Sequence, residues 1–232
     1  MEHLSLIPGT TGATPVQNVG AYGQELSNVI VCVQAYDKET KQMVVIPKAE
    51  CGFSYRKSRF NTTDKGRFFI TSITIALSHD PPMPPFYASL EAYLNENKIT
   101  KYTPKVIRDA VIAIRNSKLP DPKKVANCGS FFANPIIDSF QLDSVVAKYP
   151  GIPRWQVDSE HYKLSAAWML ENLGLKGYHE PNTGMAIWDN QPLVLVNEKA
   201  PNTASLLAFR DAIIKRVEER FGVTLQQEPE LI

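Results

Sequence analysis

The amino-acid sequence predicts an α+β fold divided into two packed domains. Two β-branched runs, Val29–Tyr36 and Gln42–Ile46, are separated by a short polar segment, which indicates a β-hairpin. Strand and helix patterns mix along the second half, and Ala204–Phe221 carries the apolar stripe of an amphipathic helix. The chain has 232 residues, 44% of them hydrophobic, so it can bury cores for both domains.

The rest of the strand-rich half predicts one more strand and two helices. Arg67–Leu77 continues the apolar, β-branched pattern and predicts a third strand. Phe86–Asn97 and Pro104–Ser117 have helical spacing, and Thr103 is placed to cap the second helix at its N-terminus, with a proline following at the first helical position. We expect the first domain to end near residue 110.

The mixed half, residues 111–232, predicts short elements of both kinds. Gly174 and Gly222 follow apolar periodic segments and indicate the ends of two helices. The last helix is expected to pack its apolar stripe on a sheet, and a final strand is expected from residue 223. The other predicted elements are a strand Phe131–Ile137, helices Leu142–Lys148 and Leu164–Leu173, and strands Met185–Trp188 and Leu193–Val196.

The charge and cysteine content exclude several classes of protein. With 25 basic and 24 acidic side chains the formal net charge is +1, which provides no field for nucleic acid. The apolar runs are too short for a membrane helix and no signal-peptide pattern opens the chain, so a cytoplasmic protein is expected. Cys32, Cys51 and Cys128 lack metal-ligand spacing, which favours reduced thiols and predicts neither a disulfide framework nor a metal site.

A glycine-rich segment near the N-terminus is the first candidate for function. Ile7–Gly23 contains four of the twelve glycines among small and hydroxylated residues, which is typical of a loop. Glycine lets backbone N–H groups approach phosphate oxygens, so this loop can line a nucleotide. Tight turns with no ligand are the alternative, since no GxGxxG or Walker pattern occurs.

Five motifs occur in a fixed order between Leu6 and Glu230. They are IPGTTGATPVQNVGAYGQE, FSYRKS, NCGSFFANP, LKG and EPE. This ordered set closely resembles the signature of the UDP-N-acetylenolpyruvoylglucosamine reductase family. The resemblance starts in the middle of the family pattern, so the family's first flavin-binding domain, with its own Gly-Ser-Asn loop, is expected to be absent.

The resemblance implies a fold and a separate binding role for each domain. Residues 1–110 would be the second part of a flavin-binding, vanillyl-alcohol-oxidase-like domain. Residues 111–232 would be a mixed α/β substrate-binding domain, with the strand from residue 223 returning toward the flavin site. The family is expected to use FAD, with NADPH as hydride donor, to reduce UDP-N-acetylglucosamine enolpyruvate to UDP-N-acetylmuramate for peptidoglycan. A monomer is expected by default.

Three residues are implied as catalytic. Arg56 would stabilise the negative charge that hydride addition leaves beside the substrate carboxylate. Ser130 would donate a proton to the neighbouring carbon, and Glu230 would assist the enol. The residues alone also permit a surface charge for Arg56, a capping hydroxyl for Ser130 and a solvent-exposed terminal carboxylate for Glu230.

Two further sets are implied by the family pattern. Arg115 is expected near the electron-rich end of the flavin ring and Ile70 near its face; surface or strand packing is the alternative for both. Ala133 and Ile232 depart from the pattern, where a lysine and an arginine are common. The cofactor-binding set is Ile7, Pro8, Gly9, Ala13, Thr14, Val16, Gly20, Tyr22, Ile70 and Arg115. The substrate-binding set is Tyr55, Tyr87, Lys118, Asn134, Lys176 and Gln191.

Two other functions stay open on the sequence. One is a truncated, non-catalytic fragment that binds the UDP-sugar weakly without flavin. The other is a general nucleotide-binding or scaffolding domain, which would require the five ordered motifs to be accidental.

Overall fold

The computed structural model of the chain describes residues 1–231, so Ile232 lies outside the described residues. The chain divides into two compact units, Met1–Arg115 and Asn116–Ile232. Among the described residues, no helix is both long enough and apolar enough to cross a membrane.

The first unit contains a three-stranded antiparallel sheet and a small two-stranded ribbon. The hairpin prediction is confirmed, because residues 32–37 pair in antiparallel fashion with residues 42–47, and the predicted third strand pairs with the other side of the first. The strand order is β4-β3-β5. The strands are β1 (Gly20–Ala21), β2 (Gln24–Glu25), β3 (Ile30–Asp37), β4 (Gln42–Pro47) and β5 (Phe68–Ile75).

Two separate apolar clusters support this unit. Val33 and Ile46 of the sheet pack against Leu26 and Phe60, all of them buried. Two helices, α1 (Ala88–Glu96) and α2 (Pro104–Lys118), form the other cluster with their facing leucine, isoleucine and valine side chains. The Thr103 hydroxyl oxygen accepts the Val106 backbone N–H at 3.2 Å, which confirms the predicted cap. Short 3-10 helices lie at Glu2–Leu4, Thr11–Ala13, Leu26–Asn28, Lys48–Glu50 and Arg59–Asn61.

The second unit has two antiparallel sheets and three helices, with one large apolar core and a smaller apolar cluster of Ala186, Val194 and Val196. One sheet has the order β10-β11-β12-β6 and the other the order β7-β9-β8. The strands are β6 (Ala126–Ser130), β7 (Ile136–Asp138), β8 (Arg154–Gln156), β9 (His161–Leu164), β10 (His179–Glu180), β11 (Met185–Ile187) and β12 (Val194–Asn197). The helices are α3 (Ser139–Lys148), α4 (Ala166–Asn172) and α5 (Thr203–Phe221).

The last helix packs as predicted. Phe209, Ile213 and Val217 of α5 are buried in one cluster with Met185 and Ile187 of β11. The helix therefore covers a sheet with its apolar stripe, because residues three and four apart share one helix face.

Three sequence predictions are wrong in detail. Of the predicted strand Phe131–Ile137, only the last two residues belong to a strand, β7, which begins directly after Pro135, a residue with no backbone N–H to donate. Leu164 ends a strand instead of starting a helix, since the Ser165 side chain caps α4 by accepting the Trp168 N–H. The expected strand from residue 223 is reduced to one β-bridge between Phe132 and Gln227.

Candidate functional site

The glycine-rich segment is held in place by one buried asparagine. Asn18 has no solvent exposure, and its Nδ2 donates to Glu25 Oε2 at 2.7 Å and to the Ser54 carbonyl at 3.1 Å. Its Oδ1 accepts the Ser27 backbone N–H at 2.9 Å. The loop is therefore fastened both to its own return strand and to the segment that carries the arginine of the second motif.

A tight turn presents that arginine. Ser54 and Lys57 exchange backbone hydrogen bonds of 3.0 and 3.2 Å, which leaves Tyr55 and Arg56 at the tip. Arg56 has a φ of 57°, a left-handed conformation that costs a non-glycine residue free energy and recurs at functional sites. Its guanidinium lies 5.0 Å from the Tyr55 ring centroid, within the range of a cation–π contact.

The Arg56 side chain packs against the backbone of Gly20. Arg56 Nη2 donates to the Gly20 carbonyl at 2.9 Å. A Cβ atom at this position would lie 3.1 Å from Arg56 Nη1 and 2.9 Å from the Gln24 carbonyl oxygen. Glycine is therefore required here because the guanidinium and the return strand approach the backbone so closely.

Two tyrosines and a second arginine extend the same cluster. The rings of Tyr22 and Tyr87 meet edge to face with centroids 5.9 Å apart. Burial raises the pKa of Tyr22, and burial lowers the pKa of Arg115, which the neighbouring Tyr22 partly offsets. The buried Nε of Arg115 has no hydrogen-bond partner among the described residues. A buried guanidinium with an unused donor favours an anionic ligand.

The remaining cofactor candidates lie along the loop at different depths. Pro8, Gly9 and Ala13 are exposed, and Ile7 is half-buried. The Thr14 hydroxyl donates to the Thr11 carbonyl at 2.6 Å and so braces the first turn of the loop. Val16 and Ile70 are partly buried against the apolar cluster of the sheet. Gly12 also approaches the strand, since a Cβ there would lie 3.7 Å from the Ile70 carbonyl oxygen.

Ser130 ends a strand of the second unit instead of beginning one. Gly129 before it has a φ of 76°, and its N–H donates to Asn127 Oδ1 at 2.9 Å, which turns the chain at this point. Ser130 is half-buried and pairs with Val194 of β12. The serine is thus mounted on a sheet whose next residue, Phe131, is part of the apolar core.

The C-terminal segment runs beside this strand. Glu228 N donates to the Phe131 carbonyl at 2.9 Å, and the Ala133 N–H donates to the Gln226 carbonyl at 2.9 Å. The pairing is antiparallel, so the residues after Glu228 continue toward the Ser130 end. Glu230 is an exposed residue of that continuation.

One turn contains one of the four substrate candidates of this unit and contacts the sequence neighbours of two others. Gln191 belongs to the turn between β11 and β12, and its Oε1 accepts the Leu193 N–H at 3.4 Å. Asn190 Nδ2 donates to the Ser117 carbonyl at 3.3 Å, next to Lys118. Asp189 meets the segment after Lys176, since a Cβ on Gly177 would lie 2.5 Å from Asp189 Oδ1.

Asn134 and Lys176 already have protein partners. Asn134 Oδ1 accepts the Ala166 backbone N–H at 3.0 Å, so its amide NH₂ is the group that can still donate. Lys176 Nζ lies 3.0 Å from Glu171 Oε1, and both side chains are exposed. An exposed pair of this kind contributes at most about 1 kcal/mol, which a bound phosphate can displace.

Three bracing residues were not singled out from the sequence. Asn18, Ser58 and Asn61 hold the arginine turn through side-chain bonds to the backbone. Asn18 and Ser58 belong to two of the motifs, but the residue pattern does not distinguish a residue that supports the turn from one that binds a ligand. The only signal available was that Asn18 and Ser58 each lie two residues from a candidate ligand in their motifs.

The chain matches a family model and curated relatives. Residues 121–232 match the model described as UDP-N-acetylenolpyruvoylglucosamine reductase, C-terminal domain. The reductase of that name from Ralstonia nicotianae is 39% identical over 232 residues, covering 100% of this chain and 67% of the relative. The one from Amoebophilus asiaticus is 40% identical over 232 residues, covering 100% of this chain and 68% of the relative. The chain thus spans about two thirds of the length of these relatives.

A solved structure has the same fold. The crystal structure of UDP-N-acetylenolpyruvylglucosamine reductase from Thermus caldophilus aligns with a TM-score of 0.61 and 20% identity, over 99% of this chain and 62% of that chain. The solved structure has the same fold, and the relatives' names define the class, which is that of the reductases. The chain belongs to the UDP-N-acetylenolpyruvoylglucosamine reductase family.

Proposed function

We propose that this chain takes part in reducing UDP-N-acetylglucosamine enolpyruvate to UDP-N-acetylmuramate, a step of peptidoglycan precursor synthesis. The observation that carries this proposal is the fixed guanidinium of Arg56. It stands on a strained turn, is bonded to the Gly20 carbonyl and lies against the Tyr55 ring. A cation held in one place can bind the enolpyruvyl carboxylate and stabilise the negative charge that develops beside it.

The first unit contains groups suited to FAD. The exposed glycine-bearing loop offers backbone to a diphosphate, and the unused Nε of Arg115 suits an electron-rich ring edge or a phosphate. We assign the cofactor to Ile7, Pro8, Gly9, Ala13, Thr14, Val16, Gly20 and Tyr22 of the loop and to Ile70 and Arg115. FAD, when bound and reduced by NADPH, supplies the hydride for the reaction.

The protein groups handle charge and protons. Hydride adds to the methylene carbon of the enolpyruvyl double bond, and the electron pair moves to the adjacent carbon and its carboxylate. Arg56 stabilises that charge, and the Ser130 hydroxyl donates its proton to the adjacent carbon, after which solvent reprotonates the serine. Glu230 assists the enol at the end of the C-terminal segment.

The substrate residues suit the parts of a nucleotide sugar. Lys118 and Lys176 provide ammonium groups for the diphosphate, while Asn134 and Gln191 provide amides for uracil and sugar edges. Tyr55 and Tyr87 provide aromatic surface with a hydroxyl at its edge. The shared turn around Asn190 supports a joint role for Lys118, Lys176 and Gln191.

Ligand binding by the purified chain tests this function. We expect UDP-N-acetylglucosamine enolpyruvate to bind about 10-fold or more tightly than UDP-N-acetylglucosamine, because a charge-assisted bond to Arg56 contributes about 1.5–3 kcal/mol. In Arg56→Ala this preference should disappear while the affinity for UDP-N-acetylglucosamine is kept. Equal binding of the two ligands by the wild-type chain would reject the role of Arg56.

Flavin binding is measured separately on the same preparation. Added FAD should change its visible absorption and fluorescence on binding, and Arg115→Met should weaken that binding. Arg108→Met, on an exposed side chain of the same helix, serves as the matched control. A wild-type chain that binds the UDP-sugar but no flavin would be the non-catalytic fragment.

A further inference from the structure

Asn18 uses its whole side-chain amide inside the first unit. The residue is completely buried and has a φ of 47°, so the surrounding bonds hold it in an unfavourable backbone conformation. Its two N–H groups serve a carboxylate and a carbonyl, Glu25 Oε2 and Ser54 O, while its oxygen accepts from Ser27. A carboxamide alone among short side chains provides both donors and an acceptor, which explains why asparagine stands here.

The bond to Ser54 determines where the arginine turn begins. Ser54 is the residue that opens the two-residue turn carrying Tyr55 and Arg56, and it pairs with Lys57 across that turn. On the other side, the Ser58 hydroxyl donates to the Val16 carbonyl at 2.6 Å. The two ends of the turn are therefore tied to the glycine-rich loop by one side-chain bond each.

The arginine needs such a fixed base. An arginine side chain loses much rotamer entropy when it is held in one geometry. The 2.9 Å bond from Arg56 to the Gly20 carbonyl joins the same turn to the same loop. That bond keeps its length only if the turn and the loop keep their distance, and Asn18 connects these two segments through Ser54.

We propose that Asn18 is a positioning residue, which sets the place of the Arg56 guanidinium by holding the Ser54 carbonyl. The inference rests on the proposed role of Arg56 toward the substrate carboxylate. If Asn18 had only a structural role, its substitution would destabilise the whole unit. If it is a positioning residue, its substitution should disorder the Arg56 guanidinium while the unit stays folded.

Two variants separate these roles. Asn18→Asp keeps the shape but loses both donors and places a second carboxylate next to Glu25. Adding Glu25→Gln restores a donor to that contact and removes the repulsion, but the Ser54 carbonyl still lacks the donor from residue 18 and keeps only the Lys57 N–H across the turn. We therefore expect the double variant to fold like the wild-type chain and to lack the hydrogen bond from residue 18 to the Ser54 carbonyl.

Nitrogen-15 spectra of the arginine side chains provide the first readout. A guanidinium that is hydrogen-bonded and stacked rotates slowly and gives resolved resonances; Arg56→Lys identifies its signals. Arg59, bonded to Asp64 at 2.7 Å, and Arg67, bonded to Asp37 at 2.6 Å, are internal controls in the same unit. In Asn18→Asp/Glu25→Gln we expect averaged Arg56 signals with native Arg59 and Arg67 signals. Unchanged Arg56 signals, or loss of all three together, would overturn the proposal.

Ligand discrimination provides the second readout. In the double variant, the preference for the enolpyruvyl ligand over UDP-N-acetylglucosamine should fall at least about 5-fold, and adding Arg56→Ala should lower it by a smaller factor than Arg56→Ala does in the wild-type chain. A preference equal to that of the wild-type chain overturns the proposal. If the wild-type chain itself has no preference, the proposed function fails, and the Arg56 spectra alone decide whether Asn18 positions the guanidinium.

Discussion

The two units of this chain differ in the interactions that stabilise each of them internally. Among residues 1–231, the polar and charged side chains that are buried, His3, Asn18, Asp37 and Ser58, all belong to the first unit. The second unit instead has one extensive apolar core that joins both of its sheets to α5. Hydrogen bonds between fixed partners define position, whereas apolar burial provides most of the free energy of folding.

This difference matches the chemistry that each unit is proposed to perform. The guanidinium of Arg56 must stay at one point, so its turn is braced by buried polar bonds. Ser130 is half-buried at the end of a strand that pairs with Val194 and leads into the core, so strand pairing and core packing hold it. Polar substitutions should therefore affect ligand discrimination in the first unit, and cavity-forming ones should affect the stability of the second.

The largest expected effect is that of Ser130→Ala on flavin reoxidation, and it distinguishes the proposed role of Ser130 from that of Arg56. In a flavin-loaded protein, Ser130→Ala should slow flavin reoxidation by the substrate about 10²- to 10⁴-fold, the usual contribution of general acid catalysis. Flavin reduction by NADPH should be unaffected, and ligand discrimination should be kept. Stopped-flow absorbance measures the two half-reactions separately. Equal losses in both half-reactions would contradict a proton-donor role.

The next largest effect concerns the apolar core. Leu170 in α4 is fully buried, so Leu170→Ala should destabilise the second unit by about 3 kcal/mol through lost contacts and a cavity. Hydrogen exchange measured by mass spectrometry should show lower protection in α4 and α5 with little change in β3. Leu94→Ala in α1 is the matched control and should lower protection in α1 and α2 with little change in α4 and α5. Equal loss of protection in both units after either change would mean that they unfold as one.

The sequence predicted the elements with strong periodicity and missed those that depend on distant partners. The hairpin β3–β4 and helix α5 follow from side-chain patterns within one segment. The short strand β8 has three exposed residues and exists only because it pairs with β9, which no local pattern reveals. The candidate ligands came from family motifs, whereas the use of Asn134 as a cap for Ala166 required the tertiary structure.

A smaller effect concerns acid stability. Two hydrogen bonds from Arg67 hold the pKa of Asp37 well below its ordinary 3.8, so the ionised form stabilises the folded first unit. This contribution is complete above pH 3.8 and is lost as the pH falls toward the folded-state pKa. Asp37→Asn should lower the unfolding temperature at neutral pH and flatten its decline in acid. Asp158→Asn is the control, because the exposed Asp158 has a pKa lowered mainly by the Glu160 backbone N–H.

The smallest expected effect is a labelling rate that reports on the first unit alone. Cys51 is fully buried, its Sγ lies 3.4 Å from the Pro47 carbonyl, and burial raises its pKa to about 11. A thiol reagent near neutral pH should therefore label it only when the unit opens, because both access and the thiolate fraction are low. Labelling should become faster in Asp37→Asn and stay unchanged in Leu170→Ala, as measured by mass spectrometry of the labelled peptides. If Leu170→Ala accelerated it as much as Asp37→Asn, the two units would share one opening reaction, and their different means of support would not make them independent.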